Sequence, residues 1–97
     1  MGREENLFYI PCQVRNGVFP NEYAATVIAV NGSTHTTLLA KDSLKIGRQP
    51  RGSESGEGLL PVYVVDSAGK HVLVGLPGEV VNSARVLVER NLLQKIA

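Results

Sequence analysis

The order of apolar and polar residues near the start of the chain has the two-residue period of a β-strand. Over residues 7–15 the apolar positions alternate with more polar ones, and they are Phe8, Ile10, Cys12 and Val14. This pattern predicts a first strand whose apolar side chains face a core. Pro11 lies within the strand and cannot donate a ladder hydrogen bond, so we expect the strand at a sheet edge or at a bulge.

Turn signals divide the next part of the chain into two further strands. Asn16-Gly17 and Asn31-Gly32 are dipeptides typical of tight turns between strands. They flank a predicted strand over residues 23–30 and precede another over residues 34–40. A short helical turn is expected next, with the Asp42 side chain capping it.

Residues 47–58 differ in composition from the segments on either side. They contain four glycines and no aliphatic side chain. A segment of this composition has nothing to bury in a core, and Gly/Ser-rich segments are typical of flexible connections. We therefore predict a mobile surface linker at residues 47–58.

The pattern of strands and turns starts again after this linker. Strands are predicted over residues 59–66, 71–76 and 84–89, and Pro61 lies inside the first of them as Pro11 does in its strand. A second short helical turn follows, with Asn91 as the expected cap. The leucines Leu44 and Leu93, one after each turn, are predicted to fold back onto the core.

The two halves correspond in sequence as well as in the order of their elements. Ile10-Pro11-Cys12-Gln13-Val14 aligns with Leu60-Pro61-Val62-Tyr63-Val64 at an offset of 50 residues. The closing segments align at an offset of 49, which pairs Leu38 with Leu87 and Leu44 with Leu93 as matching core positions. This self-similarity favours an internal duplication. The alternative is chance, because any small all-β chain alternates strands and turns.

Three strands are too few to hold a core alone, so the two halves are expected to bury each other's apolar faces. An all-β barrel of about six strands with approximate twofold symmetry meets this need and hides the strand edges. The strand and capped turn at residues 36–45 and 85–94 resemble the closing element of SH3-like small barrels, which implies that type of barrel. We expect residues 1–97 to form one domain, with half-repeats at about 7–46 and 59–97.

Composition and charge narrow the range of functions. Aromatic residues are 5% with no Trp, so the core is expected to be aliphatic. The formal charge is only +1, so strong long-range attraction to nucleic acid or an anionic membrane is not expected. Cys12 is the single cysteine, and no disulfide can form within the chain. The first residues lack an apolar signal segment, and no apolar run approaches the roughly 18 residues of a membrane span. A cytoplasmic location is expected.

The chain has few side chains that are candidates for catalysis or metal binding. Metal sites need clustered ligands, whereas His35 and His71 are widely separated, so neither a metal nor a cofactor is expected. Cys12 with a histidine and with Asp42 or Asp66 is a conceivable nucleophilic set. No motif supports it, and Cys12 is in phase with buried positions, so we expect a small buried hydrophobe and no enzyme.

A short basic stretch is the most distinctive local feature. Its candidate nucleic-acid contacts are Lys41, Lys45, Arg48 and Arg51. A flexible loop with several bases can contact phosphates, although Glu54 and Glu57 follow closely and the alternative is a solvated charged loop.

The expected function is that of a non-enzymatic small barrel that binds another protein. An exposed strand edge at residues 7–15 or 59–66 would accept a strand of the partner. The alternative is a barrel that binds nucleic acid weakly through the basic loop. Oligomeric state is left open.

Overall fold

The computed structural model describes residues 7–47, 49–80 and 85–95, and within them the protein is almost entirely β-structure. The strands of these residues are β1 (Leu7–Asn16), β2 (Glu22–Ile28), β3 (Thr34–Ala40), β4 (Lys45–Ile46), β5 (Ser55–Ala68), β6 (His71–Gly75), β7 (Glu79–Val80), β8 (Arg85–Glu89) and β9 (Gln94–Lys95). Two 3₁₀ turns, Lys41–Ser43 and Arg90–Leu92, follow β3 and β8. The predicted all-β architecture is confirmed. Arg48 and Ala84, the predicted start of the last strand, lie outside the described residues.

The long strands form a nearly closed antiparallel barrel of six strands. The sheet order is β7-β3-β2-β1-β5-β6-β8, with β4 added to β5 and β9 added to β1. Where the two ends of the sheet approach each other, the backbone N–H of Val30, just after β2, donates to the carbonyl of Leu87 in β8 at 2.9 Å. This contact joins the two ends of the sheet, because β8 is the last strand of the order and the β2–β3 hairpin lies near the other end.

The two-residue period of the strands places one row of side chains inside the barrel. In β1 these are Ile10, Cys12 and Val14, all buried, as predicted. Buried aliphatics of β5, β6 and β8 complete one continuous core, to which Leu44 adds after the first 3₁₀ turn. Leu93 packs against the same core from the second turn and is partly buried.

The predicted linker is wrong in its second part, because Ser55 to Gly58 belong to β5 and pair with β1. The ladder runs from Ser55 opposite Arg15 to Gly58 opposite Cys12. Gly58 has no Cβ, and a Cβ there would lie 2.8 Å from the Lys45 carbonyl and from a methyl group of Val14. The absence of a side chain is what lets β1 and β4 approach β5 from its two edges, and composition alone does not reveal this role.

The first part of the predicted linker is held by the end of β1. The Asn16 side-chain amide donates to the carbonyl of Pro50 at 3.3 Å and to that of Gly52 at 3.2 Å. A turn closes between Arg51 and Glu54, whose backbone N–H donates to the Arg51 carbonyl at 2.9 Å. These bonds give residues 50–54 defined contacts with the barrel, in contrast to the predicted mobile segment.

The prediction that Asp42 and Asn91 cap the two short turns is wrong. Asp42 and Asn91 lie in the middle of their 3₁₀ turns, and the cap positions are Ala40 and Glu89, neither of which makes a side-chain cap hydrogen bond. A 3₁₀ turn of three residues directly after a strand leaves few free N–H groups to cap. The turns themselves are where the sequence places them.

The predicted matching core positions Leu38 and Leu87 do not face the core. Leu38 is half-buried and Leu87 is 42% exposed, whereas Leu39, Val86 and Val88 are buried. Each predicted residue has an aliphatic neighbour in the chain, so the sequence pattern fits either phase of the strand. Successive residues of a strand face opposite sides of the sheet, and the pairing register places the neighbouring residues Leu39, Val86 and Val88 on the interior side.

Candidate functional site

A cleft of about 710 Å³ opens on the barrel beside the middle of β1. Five segments contribute its walls: β1 near Pro11, the β2–β3 hairpin near Ile28, the β4 region near Ile46, β5 near Gly58, and the chain around Leu92. The polar lining residues include Gln13, Thr26, Thr34, Lys45, Glu57 and Gln94. The cleft therefore combines apolar lining residues with several polar ones, which is the usual composition of a binding site.

The cleft lies where β1 has no strand on one of its two edges. One edge pairs with β5 from Leu7 to Arg15. The opposite edge pairs with β9 at Phe8 and Tyr9 and with β2 from Gln13 onwards. Among the described strands, none pairs with Ile10, Pro11 and Cys12 on that opposite edge, and these three residues line the cleft.

This gap explains how a proline fits into a central strand. The sequence predicts an edge strand or a bulge at Pro11. β1 lies in the middle of the sheet, and its ladder with β5 runs past Pro11 without a register shift, so neither describes the strand as a whole. Pro11 has no N–H, and it lies at the one local interval where β1 changes partner from β9 to β2. Pro61 occupies the corresponding interval of β5, between β4 at Leu59 and β6 at Tyr63.

Two large apolar side chains of the cleft are exposed to solvent. Ile28 is 62% exposed at the end of β2, and Leu92 is 37% exposed in the second 3₁₀ turn. Apolar side chains gathered around one concavity mark interaction sites more often than the same residues scattered singly. Sequence reasoning missed both residues, because Ile28 was assigned to a strand without its facing direction and Leu92 to a turn.

Cys12 lines the cleft but is only 7% exposed, and it belongs to the core cluster as predicted. Burial raises the pKa of its thiol to about 11, while a backbone hydrogen bond involving Gly58 acts in the opposite direction. The thiol is thus protonated at neutral pH. No histidine or aspartate lines this cleft with it among the described residues.

Cys12 is expected to react slowly with thiol reagents in the folded protein. A rise in pKa from 9.0 to about 11 lowers the thiolate fraction at pH 8 by about 100-fold, and burial slows access further. The measurement is the rate of iodoacetamide modification, native against urea-unfolded, followed by mass spectrometry. Equal rates in the two states would contradict the buried, protonated thiol and reopen a nucleophilic role.

The histidines occupy separate parts of the barrel. The His35 ring Nε2 lies 3.0 Å from the Ser33 hydroxyl, and His71 Nε2 lies 3.9 Å from a Glu89 carboxylate oxygen on the surface. The described residues contain no group of three or more metal-ligand side chains. Nor do they include a helix with the length and apolarity required to cross a membrane.

The four predicted nucleic-acid contacts are not equivalent. The Lys41 ammonium lies 5.0 Å from the centre of the Tyr23 ring, and the Lys45 ammonium lies 5.1 Å from the centre of the Tyr9 ring. Cation–π contacts of this kind engage both lysines within the chain. Arg51 is held in the turn before β5, and Arg48 lies outside the described residues. Of the three that the structure describes, only Lys45 lines the cleft.

Comparison of the chain with protein families, with curated proteins and with solved structures finds no match.

Proposed function

We propose that this barrel is a non-enzymatic interaction module that binds an apolar segment of another protein in the cleft beside β1. The observation that carries the proposal is the coincidence of three features at one place: a concavity, an interval of β1 without a strand partner, and the exposed side chains Ile28 and Leu92. The protonated, buried state of Cys12 supports a binding role over a catalytic one.

The chemistry of the cleft favours a protein segment as the occupant. An extended backbone placed beside Ile10–Cys12 would add to the sheet, and its alternate side chains would meet Ile28 and Leu92. Lys45 and Glu57 put one base and one acid among the lining residues, so no single charge sign is selected. An uncharged or mixed-charge apolar segment is the partner that these groups accommodate best.

The strand ladders support the further proposal that the two halves are equivalent, as in an SH3-like barrel with approximate twofold symmetry. Lys45 at the end of the first half pairs with Leu59 near the start of the second, and Gln94 at the end of the second half pairs with Tyr9 near the start of the first. Residue 45 plus 49 is 94, and residue 59 minus 50 is 9, which are the offsets expected from the sequence. Superposition of residues 10–45 on residues 60–94 is the direct test. Divergent strand paths would show that the two halves are not an internal duplication.

Selection of peptides from a random library on the folded protein tests the binding proposal. Selected peptides should be apolar and should shift the backbone amide NMR signals of Ile10, Cys12 and Thr26. Ile28→Asp should lower the affinity for these peptides by about tenfold or more, because it places a charge against the apolar partner. A tenfold loss of affinity corresponds to about 1.4 kcal/mol of binding free energy. A matched control is Val65→Asp, which changes an exposed apolar residue outside the cleft.

Two outcomes would count against this function. Peptides whose signals map away from β1 would place the site elsewhere. Binding of nucleic acid that falls steeply with salt, and that is lost on changing both Arg48 and Arg51 to Ala, would favour the alternative function through the basic loop.

A further inference from the structure

The loop between β1 and β2 presents the two most exposed large apolar side chains of the described residues. Val18 is 84% exposed and Phe19 is 66% exposed. The base of the loop is fixed by backbone hydrogen bonds from Gly17 to the Glu22 carbonyl at 2.9 Å and from Glu22 to the Phe19 carbonyl at 3.1 Å. We call residues 17–21 the apolar loop; it holds its side chains in solvent on a defined backbone.

The apolar loop cannot fill the cleft of its own molecule. Glu22 at its base is four residues along β2 from Thr26, the nearest cleft residue of that strand, and six from Ile28, which is about 14 Å and about 20 Å at the rise of an antiparallel strand. The hydrogen bonds at the base also prevent the loop from folding back along the strand. A loop that enters the cleft must therefore belong to another molecule.

We propose that the partner in the cleft is a second copy of this chain, which inserts its apolar loop. The inference rests on the proposed role of the cleft as a docking site. Four of the seven exposed large apolar residues of the described chain belong to these two surfaces, Val18 and Phe19 to one and Ile28 and Leu92 to the other. The two surfaces thus account for most of the apolar exposure, one convex and one concave. A cleft of about 710 Å³ also lies in the size range of sites that enclose several apolar groups.

The charges beside the two surfaces are compatible with contact between copies. Residues 17–21 carry no charged side chain, and they are flanked by Arg15 and Glu22. The cleft carries Glu57 and Lys45, so each of the two surfaces has one charge of each sign beside it. With a formal charge of +1 per chain, repulsion between copies is small at neutral pH.

A contact between loop and cleft joins different surfaces of the two copies. Each added copy leaves one free loop and one free cleft, so the assembly either closes as a ring or continues as a filament. A single loop in a single cleft buries little surface, and the contact between two isolated copies is expected to be weak.

Sedimentation velocity over about 10 µM to 1 mM, a range suited to a weak contact, tests the inference. The mean mass of the wild-type chain should rise with concentration. Phe19→Asp removes the apolar loop's main side chain and Ile28→Asp damages the cleft, so each variant alone should stay a single chain. Mixed in equal amounts they should form a dimer and nothing larger, because one variant keeps the cleft and the other keeps the loop. Val65→Asp should behave as wild type.

The three positions are all exposed, and far-UV circular dichroism with thermal unfolding checks that each variant is folded. A wild-type chain that remains single at the highest concentration overturns the inference, as does a mixture that gives no dimer. If selected peptides still bind the cleft in that case, only the identity of the partner is wrong. If no peptide binds either, the proposed function fails with it.

Discussion

Leu60→Ala is expected to lower the free energy of unfolding by about 2–5 kcal/mol. Leu60 is fully buried in β5 and lies opposite Ile10 of β1, at the crossing of the two halves of the chain. Truncation of its side chain removes apolar contacts and leaves a cavity. The surrounding strands of the nearly closed barrel can fill this cavity only partly. For a domain whose total stability is about 5–15 kcal/mol this is a large fraction, and the melting temperature should fall by roughly 8 °C or more.

The matched control is Leu87→Ala, the same chemical change at a position that is 42% exposed. It should cost less than about 1 kcal/mol, because a partly solvated side chain leaves no sealed cavity. Urea unfolding followed by circular dichroism measures both. Both variants should unfold in one cooperative transition, since the β1–β5 ladder joins the two halves into one core. Equal losses in the two variants would contradict the facing directions described for these strands.

Gly58→Ala is expected to destabilise the barrel by about 1–3 kcal/mol, although it adds a single methyl group. The new Cβ would lie 2.8 Å from the Lys45 carbonyl, from a methyl of Ile46 and from a methyl of Val14. The carbonyl belongs to the backbone of β4, so relief of the clash requires the strands themselves to move. A larger residue such as valine should have a larger effect.

Gly47→Ala is the control for this glycine, because both positions fall in the segment whose composition resembles a linker. Apart from its chain neighbours, no atom of the described residues lies within 4 Å of a Cβ placed at Gly47. Its backbone also lies outside the positive-φ region. The change should leave the free energy of unfolding within about 0.5 kcal/mol or raise it slightly, by reducing the freedom of the unfolded chain. A similar loss at both glycines would show that Gly58 is not a packing position.

The sequence by itself determined the class of fold, the approximate positions of the six long strands and the positions of the two 3₁₀ turns. Two-residue alternation in β1 correctly identified Ile10, Cys12 and Val14 as interior, because every second position there is apolar. Gly32 marked the second turn for a local steric reason, because its φ of +88° is a conformation that favours glycine. These features depend on residues close together in the chain, so they can be predicted without the tertiary structure.

Only the tertiary structure decided which of two adjacent aliphatics faces inward and which glycines are structural. Leu38-Leu39 and Val86-Leu87-Val88 satisfy the apolar requirement in either phase, and the choice is made by pairing with distant strands. Gly58 resembles a linker residue until β1 and β4 are placed beside it. The candidate site has the same origin, because the interval at Pro11 is open only through the way β9 and β2 divide one edge of β1. Non-local pairing sets strand partners and their limits, and a local pattern carries no information about them.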